Sequence, residues 1–203
     1  LLGIYQGVVG THTGPNVIIA DFPLRWTVAG MGKLFRKGIN AVVPSQRAIP
    51  SQLLETKIKN RSRIHYMMAN IEVGRFAGED NWALLLDTDG FIAEGTGDNF
   101  FMVKNGQIIT PEGRNVLRGV SRAYIMDIVV PALGMEVVET NIEPYDVYNA
   151  DEAFLTGTPF CMLPMTSFNG VKISNGEVGP VFQKLLQQWG GNVGLDIQAQ
   201  IDA

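Results

Sequence analysis

The chain has 203 residues, of which 46% are hydrophobic and 18% are charged, a composition typical of a globular protein with a sizeable core. Its formal net charge of -4 and pI near 5.2 exclude a general electrostatic attraction to nucleic acid or to an anionic membrane. We therefore expect a small-molecule ligand, with no nucleic acid and no membrane as partners.

The cellular location is predicted from two features of the sequence. No apolar run is long enough to span a bilayer, and no basic-then-apolar leader is present. Cys161 is the only cysteine, which excludes an intrachain disulfide and fits a reducing compartment. We expect a cytoplasmic protein without a metal site, in which Cys161 is a small packed residue.

The first part of the chain is predicted to alternate strands with a helix. Residues 1–9 and 16–22 are predicted as strands, the second buried because its apolar run is nearly continuous. A short helix is predicted over residues 28–37, ending near Gly38, and a strand over residues 40–43. Because an apolar run begins directly at Leu1, we expect the native beginning to be missing from this sequence.

A second helix is predicted over residues 62–76, with Ser62 as its N-cap. Apolar residues recur close to helical spacing and predict that this helix packs on the core: Ile64, Met67, Met68, Ile71 and Phe76. His65 and Tyr66 are predicted to pack as well. Lys59 lies just before the helix, and a lysine carried into a desolvated pocket loses its preference for the charged form, as an amine nucleophile requires.

A hairpin is predicted around the sequence Asp87-Thr88-Asp89-Gly90, because this turn joins the apolar run of residues 82–86 to a second short run. Glu94 then lies where the far strand meets a glycine-rich bend. Gly95 and Gly97 let the backbone approach a ligand, while Asp98 and Asn99 offer polar groups that order the bend.

The remaining elements alternate in the same way. Strands are predicted over residues 100–104, 107–110, 134–139, 153–156, 162–168 and 170–173. Helices are predicted over residues 123–132 and 181–189, and a short helix or turn over residues 142–148. Gly119 and Ser121 precede the helix at residues 123–132. Unpaired backbone N–H groups at such a helix start, together with the positive end of the helix dipole, can bind a phosphate. Thr156-Gly157-Thr158-Pro159 is a second place for an anion. The tail, residues 190–203, is polar and predicted to be loosely held.

Four motifs in this order resemble the class IV aminotransferases, the fold type IV enzymes that depend on pyridoxal 5'-phosphate (PLP). They are Lys59-x-x-Ser62-Arg63, Ala93-Glu94-Gly95-Thr96-Gly97-Asp98-Asn99-Phe100, Leu117-Arg118-Gly119-Val120-Ser121-Arg122 and Thr156-Gly157-Thr158. The resemblance implies a mixed α/β (α+β) fold, the large C-terminal domain of the D-amino acid aminotransferase-like fold, with a curved, barrel-like sheet and outer helices. It implies one PLP-binding domain over residues 1–203, in which residues 1–10 end an absent N-terminal domain or form an interdomain strand.

The resemblance also assigns roles to individual residues. Lys59 is similar to the lysine that forms the internal aldimine and moves the proton, with Lys57 as the competing assignment. Glu94 is similar to the carboxylate that pairs with the pyridine nitrogen, and Asn99 to a residue that orders its bend. Residues that contact the rest of the cofactor are Leu117 at the ring face and Val120, Ser121 and Thr158 at the phosphate.

The implied reaction is transamination between an amino acid or amine and a 2-oxo acid, in a homodimer or higher homo-oligomer. Two departures from the family are expected to matter. No counterpart of the N-terminal domain precedes Leu1, and Pro159 stands where many relatives offer a backbone N–H to the substrate carboxylate. Two alternatives remain open, an aminodeoxychorismate lyase that eliminates pyruvate and a truncated domain without turnover.

Overall fold

The computed structural model describes residue 17 and residues 19–202. The strand predicted over residues 1–9 and the interdomain segment 1–10 lie outside the described residues. The strand predicted over residues 16–22 is wrong where it is described, since this segment has no strand structure and Ile19 is 93% exposed. An apolar run becomes a strand only when another strand pairs with its backbone N–H and C=O groups.

In the described part of the chain, nine strands form one sheet. Their bounds are β1 (Ile39–Val42), β2 (Asn81–Leu86), β3 (Ile92–Gly95), β4 (Asn99–Lys104), β5 (Gln107–Pro111), β6 (Val137–Thr140), β7 (Glu152–Gly157), β8 (Cys161–Phe168) and β9 (Val171–Lys172). These bounds confirm the predicted strands after residue 40 to within a few residues.

The sheet closes on itself as a barrel. Six strands follow one another in the order β3-β2-β1-β8-β7-β4. The last strand, β4, pairs with the first, β3, at Asn99 and Glu94, and this pairing closes the ring of strands. Strands β5 and β6 continue outward from β4, and β9 pairs with β8. Parallel pairs join β1 to both β2 and β8, whereas β7 is antiparallel to its neighbours. The barrel-like mixed sheet is as expected, and closure removes most unpaired strand edges.

The helices lie outside this sheet. Their bounds are α1 (Arg25–Val28), α2 (Gly32–Lys37), α3 (Ile64–Val73), α4 (Val120–Tyr124), α5 (Val130–Ala132), α6 (Pro144–Tyr148), α7 (Pro180–Val193) and α8 (Ile197–Asp202). None of the helices in the described part is both long and apolar enough to cross a membrane.

A π-helical segment, Ile125–Val129, joins α4 to α5. Val130 donates its backbone N–H to the carbonyl of Ile125, five residues earlier. Pro131 follows directly, and a proline has no N–H for the usual bond and crowds the carbonyl four residues before it. The wider π turn keeps the helix continuous past this proline.

The main core fills the barrel and the space beneath the helices. Its largest fully buried side chains are aromatic: Phe100, Phe101, Phe154, Phe168 and Phe182. The rings of Phe101 and Phe154, on paired strands β4 and β7, stack with centroids 5.1 Å apart. Phe182 packs α7 against the same cluster, because its ring contacts that of Phe154 edge to face with centroids 6.0 Å apart.

Three helix predictions need correction. The helix predicted over residues 28–37 is two helices, because residues 29–31 form a turn that includes Gly30 at φ 78°. The helix predicted to begin at residue 123 begins at Val120, since Gly119 is extended and acts as its N-cap. The tail is helical rather than loosely held, because Ile197 of α8 is buried and Asp202 pairs with Arg36 at 2.8 Å.

Helix α3 exists as predicted, but its orientation on the core is different. Only Ala69 and Val73 are buried, and Ser62 is not its N-cap. The five apolar side chains predicted to pack, Ile64, Met67, Met68, Ile71 and Phe76, are instead at least 46% exposed. The first four form what we call the apolar face of α3. Tyr66 is half-buried and packs on the core as predicted. Helical spacing correctly indicated one apolar face, but spacing alone does not say which neighbour covers it.

Candidate functional site

The predicted hairpin carries Glu94 to the floor of a cavity. Leu84 pairs with Gly95, and Leu86 pairs with Ile92, in the antiparallel ladder of β2 and β3. The turn is held by Asp87, whose Oδ1 accepts the backbone N–H groups of Asp89 at 2.9 Å and Phe91 at 3.0 Å. This local polar network fixes the register and therefore the direction in which Glu94 points.

Glu94 is buried, and three donors converge on its carboxylate. The hydroxyl of Tyr66 donates to Oε1 at 3.0 Å. The other oxygen, Oε2, accepts the side-chain amide of Asn99 at 3.1 Å and the backbone N–H of Leu117 at 2.8 Å. Hydrogen bonds to a carboxylate stabilise its charged form and fix its orientation.

Burial nevertheless dominates the electrostatics of this group. It raises the pKa of Glu94 to about 7, although the Leu117 N–H, the Tyr66 hydroxyl and the positive charges of Arg63 and Lys59 pull that pKa downward. A carboxyl that titrates near neutrality in a cavity is a candidate functional group, because small changes in its surroundings switch its charge.

Asn99 connects this carboxylate to the start of α4. Its amide donates both to Glu94 and to the backbone carbonyl of Leu117, the latter at 2.9 Å. Gly119 follows, and a Cβ there would lie 2.2 Å from Asn99 Oδ1, so only glycine lets the loop approach this closely. At the helix start Ser121 is buried and Val120 is exposed, and no side chain of the described residues caps α4.

The end of β7 completes the wall. Thr156 pairs with Asn99 across β4 and β7, so Glu94, Asn99 and Thr156 occupy one row across three strands. Thr158 follows in the turn and is exposed. Gly157 lies between Thr156 and Thr158. A Cβ at this position would lie 2.7 Å from the ring of Phe160, so a larger residue would clash with that ring.

Two lysines border the cavity from the irregular segment before α3. Lys57 donates to Glu55 Oε1 at 2.6 Å, and the two form an ion pair. Lys59 is exposed, and its positive charge is one of those that lower the pKa of Glu94. Lys59 was expected to lie in a desolvated pocket before a helix whose apolar face packs on the core. That face is exposed and so is Lys59, so the described residues do not bury this lysine.

All of these groups line one cavity of about 350 Å³. The seven predicted site residues are on its wall: Lys59, Glu94, Asn99, Leu117, Val120, Ser121 and Thr158. The described residues bring no three His, Cys, Asp or Glu side chains together as a metal site would require. The cavity thus combines an amine, a buried carboxyl and the open start of a helix.

Three residues of this cavity were not predicted to act there. Tyr66, predicted only to pack, donates to Glu94. Arg63 donates through Nη2 to the carbonyl of Thr96, and its guanidinium lies 5.2 Å from the centroid of the Tyr66 ring. Asp98, predicted only to order the bend, is buried on the cavity wall. The contacts of Tyr66 with Glu94 and of Arg63 with Thr96 join segments distant in sequence, and the burial of Asp98 depends on the folded chain, so no local pattern marks them.

Comparisons with known proteins identify the family of this chain. The model of the family described as amino-transferase class IV matches residues 7–168. A putative branched-chain-amino-acid aminotransferase of Methanocaldococcus jannaschii is 37% identical over 153 residues, which are 75% of this chain and 52% of that protein. The branched-chain-amino-acid aminotransferase of Escherichia coli K12 is 32% identical over 196 residues, covering 93% of this chain and 62% of the relative.

Solved structures give the same result. The branched-chain amino acid aminotransferase of Thermobaculum terrenum, solved in its PLP form, superposes with a TM-score of 0.71 at 30% identity, over 79% of this chain and 52% of that one. The chain therefore spans only about half to three fifths of the length of these relatives. The matched residues, 7–168, include every motif around the cavity, and the chain belongs to the class IV aminotransferase family.

Proposed function

We propose that this chain is the PLP-binding domain of an aminotransferase that moves an amino group from an amino acid or amine to a 2-oxo acid. The observation that carries the proposal is that Lys59 and Glu94, 35 positions apart in the sequence, line the same cavity. Transamination needs an amine that attaches the cofactor and an acid that keeps its ring nitrogen protonated.

The residues present fit this cofactor. A volume of about 350 Å³ lies within the range of small-molecule sites, about 300–1,000 Å³. Glu94 supplies an acceptor for a protonated pyridine nitrogen, and three donors keep the carboxylate in place. When bound, PLP supplies an electron-withdrawing ring that stabilises the charge left after a proton leaves the substrate.

Lys59, rather than Lys57, is proposed as the amine that attaches the cofactor and carries the proton. Lys57 is held by Glu55 through a 2.6 Å contact. Lys59 is close enough for its charge to act on Glu94. Lys59 is exposed, and exclusion of water from the cavity during the reaction would strengthen every charge interaction within it.

The opposite end of the cavity is proposed to hold the cofactor phosphate. The uncapped start of α4 presents backbone N–H groups at Val120 and Ser121, where the helix dipole favours an anion. Thr158 is exposed and lines the same cavity. Leu117 is proposed to pack against the ring face, at the point where its N–H fixes Glu94.

The substrates proposed are a small amino donor and a 2-oxo acid, as for the branched-chain enzymes to which the chain is similar. Pro159 has no N–H to offer a substrate carboxylate, so that carboxylate is proposed to bind through another group. We further propose that two copies associate as a homodimer, supported by the exposed apolar face of α3.

Borohydride reduction of the PLP-treated chain, followed by peptide mapping, tests the proposal. We expect one cofactor label, on Lys59, and loss of that label in Lys59→Ala but not in Lys57→Ala. Label on Lys57 alone would reassign the amine. Bleaching of the cofactor absorbance by an amino donor, with formation of an oxo acid, separates transamination from a domain without turnover, and pyruvate release without an acceptor would indicate the lyase.

A further inference from the structure

A second buried carboxyl lies beside Glu94. Asp98 ends the tight bend that follows Glu94, and the N–H of Gly95 donates to the Asp98 backbone carbonyl at 2.9 Å. The Asp98 side chain folds back onto Gly95, where a Cβ would lie 2.0 Å from Oδ1. Its side chain is buried, with 8% exposure, on the wall of the same cavity.

The two carboxyls differ in how well they are satisfied. Glu94 accepts three hydrogen bonds. Asp98 Oδ1 is buried without a hydrogen-bond partner among the described residues, and these residues give Asp98 no ion pair within 4.0 Å. An ionised carboxylate that is buried with one oxygen unsatisfied and no ion-pair partner is unfavourable, so such a group favours its protonated form. The proton of the pair therefore belongs on Asp98 and the negative charge on Glu94.

The charges around Asp98 agree with this assignment. Burial and, to a smaller extent, the negative charge of Glu94 raise the pKa of Asp98 to about 8, after the N–H of Gly97 and the guanidinium of Arg63 have offset part of the effect. The groups that face the pair are Glu94 on β3, Arg63 before α3, Tyr66 on α3 and, for Glu94, Lys59.

We propose that Asp98 is a positioning residue that shares one proton with Glu94, so that the pair carries a single negative charge and Glu94 presents it to the cavity. The charge of Glu94 acts on Asp98, so two ionised carboxylates here would repel each other, and a neutral partner removes that repulsion. The consequence for a bound pyridine ring rests on the proposed function, but the shared proton does not.

The first experiment uses the chain without cofactor. Asp98→Asn replaces the protonated carboxyl with a neutral group of similar shape, and Asp89→Asn removes an exposed charge from the same hairpin as a control. A carboxyl whose pKa is raised by folding costs stability as pH rises from its unfolded to its folded value. We expect the unfolding equilibrium constant of D98N, relative to the parent, to fall by at least about tenfold between pH 4 and 8 and then level off.

A relative constant that is unchanged over this range, or that rises, would overturn the proposal. Carboxyl ¹³C NMR of the aspartate-labelled parent gives a second measurement that does not depend on the folding of the variant. The Asp98 signal is assigned by its absence from the D98N spectrum or through the backbone resonances of residue 98. We expect this carboxyl to titrate above pH 7. Titration of that carbon near pH 4 would overturn the proposal.

The second experiment adds PLP and measures its affinity by fluorescence between pH 6 and 9. We expect the affinity of the parent for PLP to change around pH 8, where Asp98 ionises, and D98N to show a flatter profile. Identical profiles for the two proteins would contradict the shared proton. Absence of PLP binding to either protein at every pH would contradict the proposed function, and the cofactor-free titration would still decide on Asp98.

Discussion

Asn99 lies directly opposite Glu94 in the antiparallel pairing of β3 and β4, and its side-chain amide donates to the Glu94 carboxylate at 3.1 Å. The same amide also donates to the backbone carbonyl of Leu117. One side chain thus joins the carboxylate, the hairpin and the loop that begins α4. The position of Glu94 depends on a contact made by neighbouring strands, which is more rigid than a contact between loops.

Asn99→Ala is expected to lower the free energy of unfolding by about 1–3 kcal/mol, because it leaves a buried carboxylate oxygen and a carbonyl without this donor. Chemical denaturation at pH 7 measures the change. Asn192→Ala is the matched control, since Asn192 accepts only an exposed hydrogen bond from Gln188 on α7; its effect should stay within about 0.5 kcal/mol. Equal losses in the two variants would argue against a buried network at Asn99.

Glu94→Gln is expected to reduce the rate of the amino-donor half-reaction by about 100-fold or more, because a neutral amide does not hold a proton on the ring nitrogen. The amide retains an oxygen that accepts from Asn99 and Leu117, so the fold should persist. Stopped-flow absorbance of the cofactor measures the rate, with Glu136→Gln as an exposed control. A half-reaction as fast as that of the parent would exclude the proposed pairing with the ring.

Tyr66→Phe tests how the pKa of Glu94 is set. The Tyr66 hydroxyl lowers that pKa, which burial raises to about 7, so its removal should shift the titration upward. A carboxyl whose pKa is higher in the folded state lowers the free energy of unfolding as pH rises from the unfolded pKa to the folded pKa. A further rise of the folded pKa of Glu94 extends this pH range above pH 7. Relative to the parent, Y66F should lose about 1 kcal/mol more at pH 8 than at pH 5.

The control for this substitution is Tyr145→Phe, because Tyr145 is exposed on α6. It should change stability by the same small amount at both pH values. If the stability difference between Y66F and the parent does not depend on pH, the hydroxyl does not act on the charge of Glu94.

The sequence was informative where structure depends on near neighbours. Two turns, at residues 87–90 and at Asn105-Gly106, are set by residues that favour turn conformations. Asn105 and Gly106 have φ values of 51° and 77°. The order of the motifs also indicated which residues meet in one cavity. Tyr66, in contrast, reaches Glu94 across 28 positions, and its partner is determined by barrel closure, which local patterns do not encode.

Gly95→Ala should be destabilising for a steric reason alone. The new Cβ would lie 2.0 Å from Asp98 Oδ1, so the carboxyl must move within a buried site. We expect a loss of about 1–3 kcal/mol in the free energy of unfolding. In Gly97→Ala, the control from the same bend, the nearest atom is Arg63 Nη2 at 3.9 Å, an ordinary contact distance.

A double-mutant cycle shows whether Asp98 causes this loss. If it does, Gly95→Ala combined with Asp98→Ala should be less destabilised than the sum of the single variants, by at least about 0.5 kcal/mol. Additive effects would mean that Gly95 is required for another reason, such as the pairing of Gly95 with Leu84.

The apolar face of α3 tests the proposed association of two copies. Ile71→Glu places a charge on a side chain that is 50% exposed, so it should change the stability of one copy by only about 0.5 kcal/mol or less. If the face is covered by a second copy, the buried charge should weaken association at least about tenfold, as measured by sedimentation velocity over a concentration series. Val193→Glu, at an exposed position at the C-terminal end of α7, should leave association unchanged. Sedimentation of the parent as a single copy at every concentration, or equal association of both variants, would exclude this face as the contact.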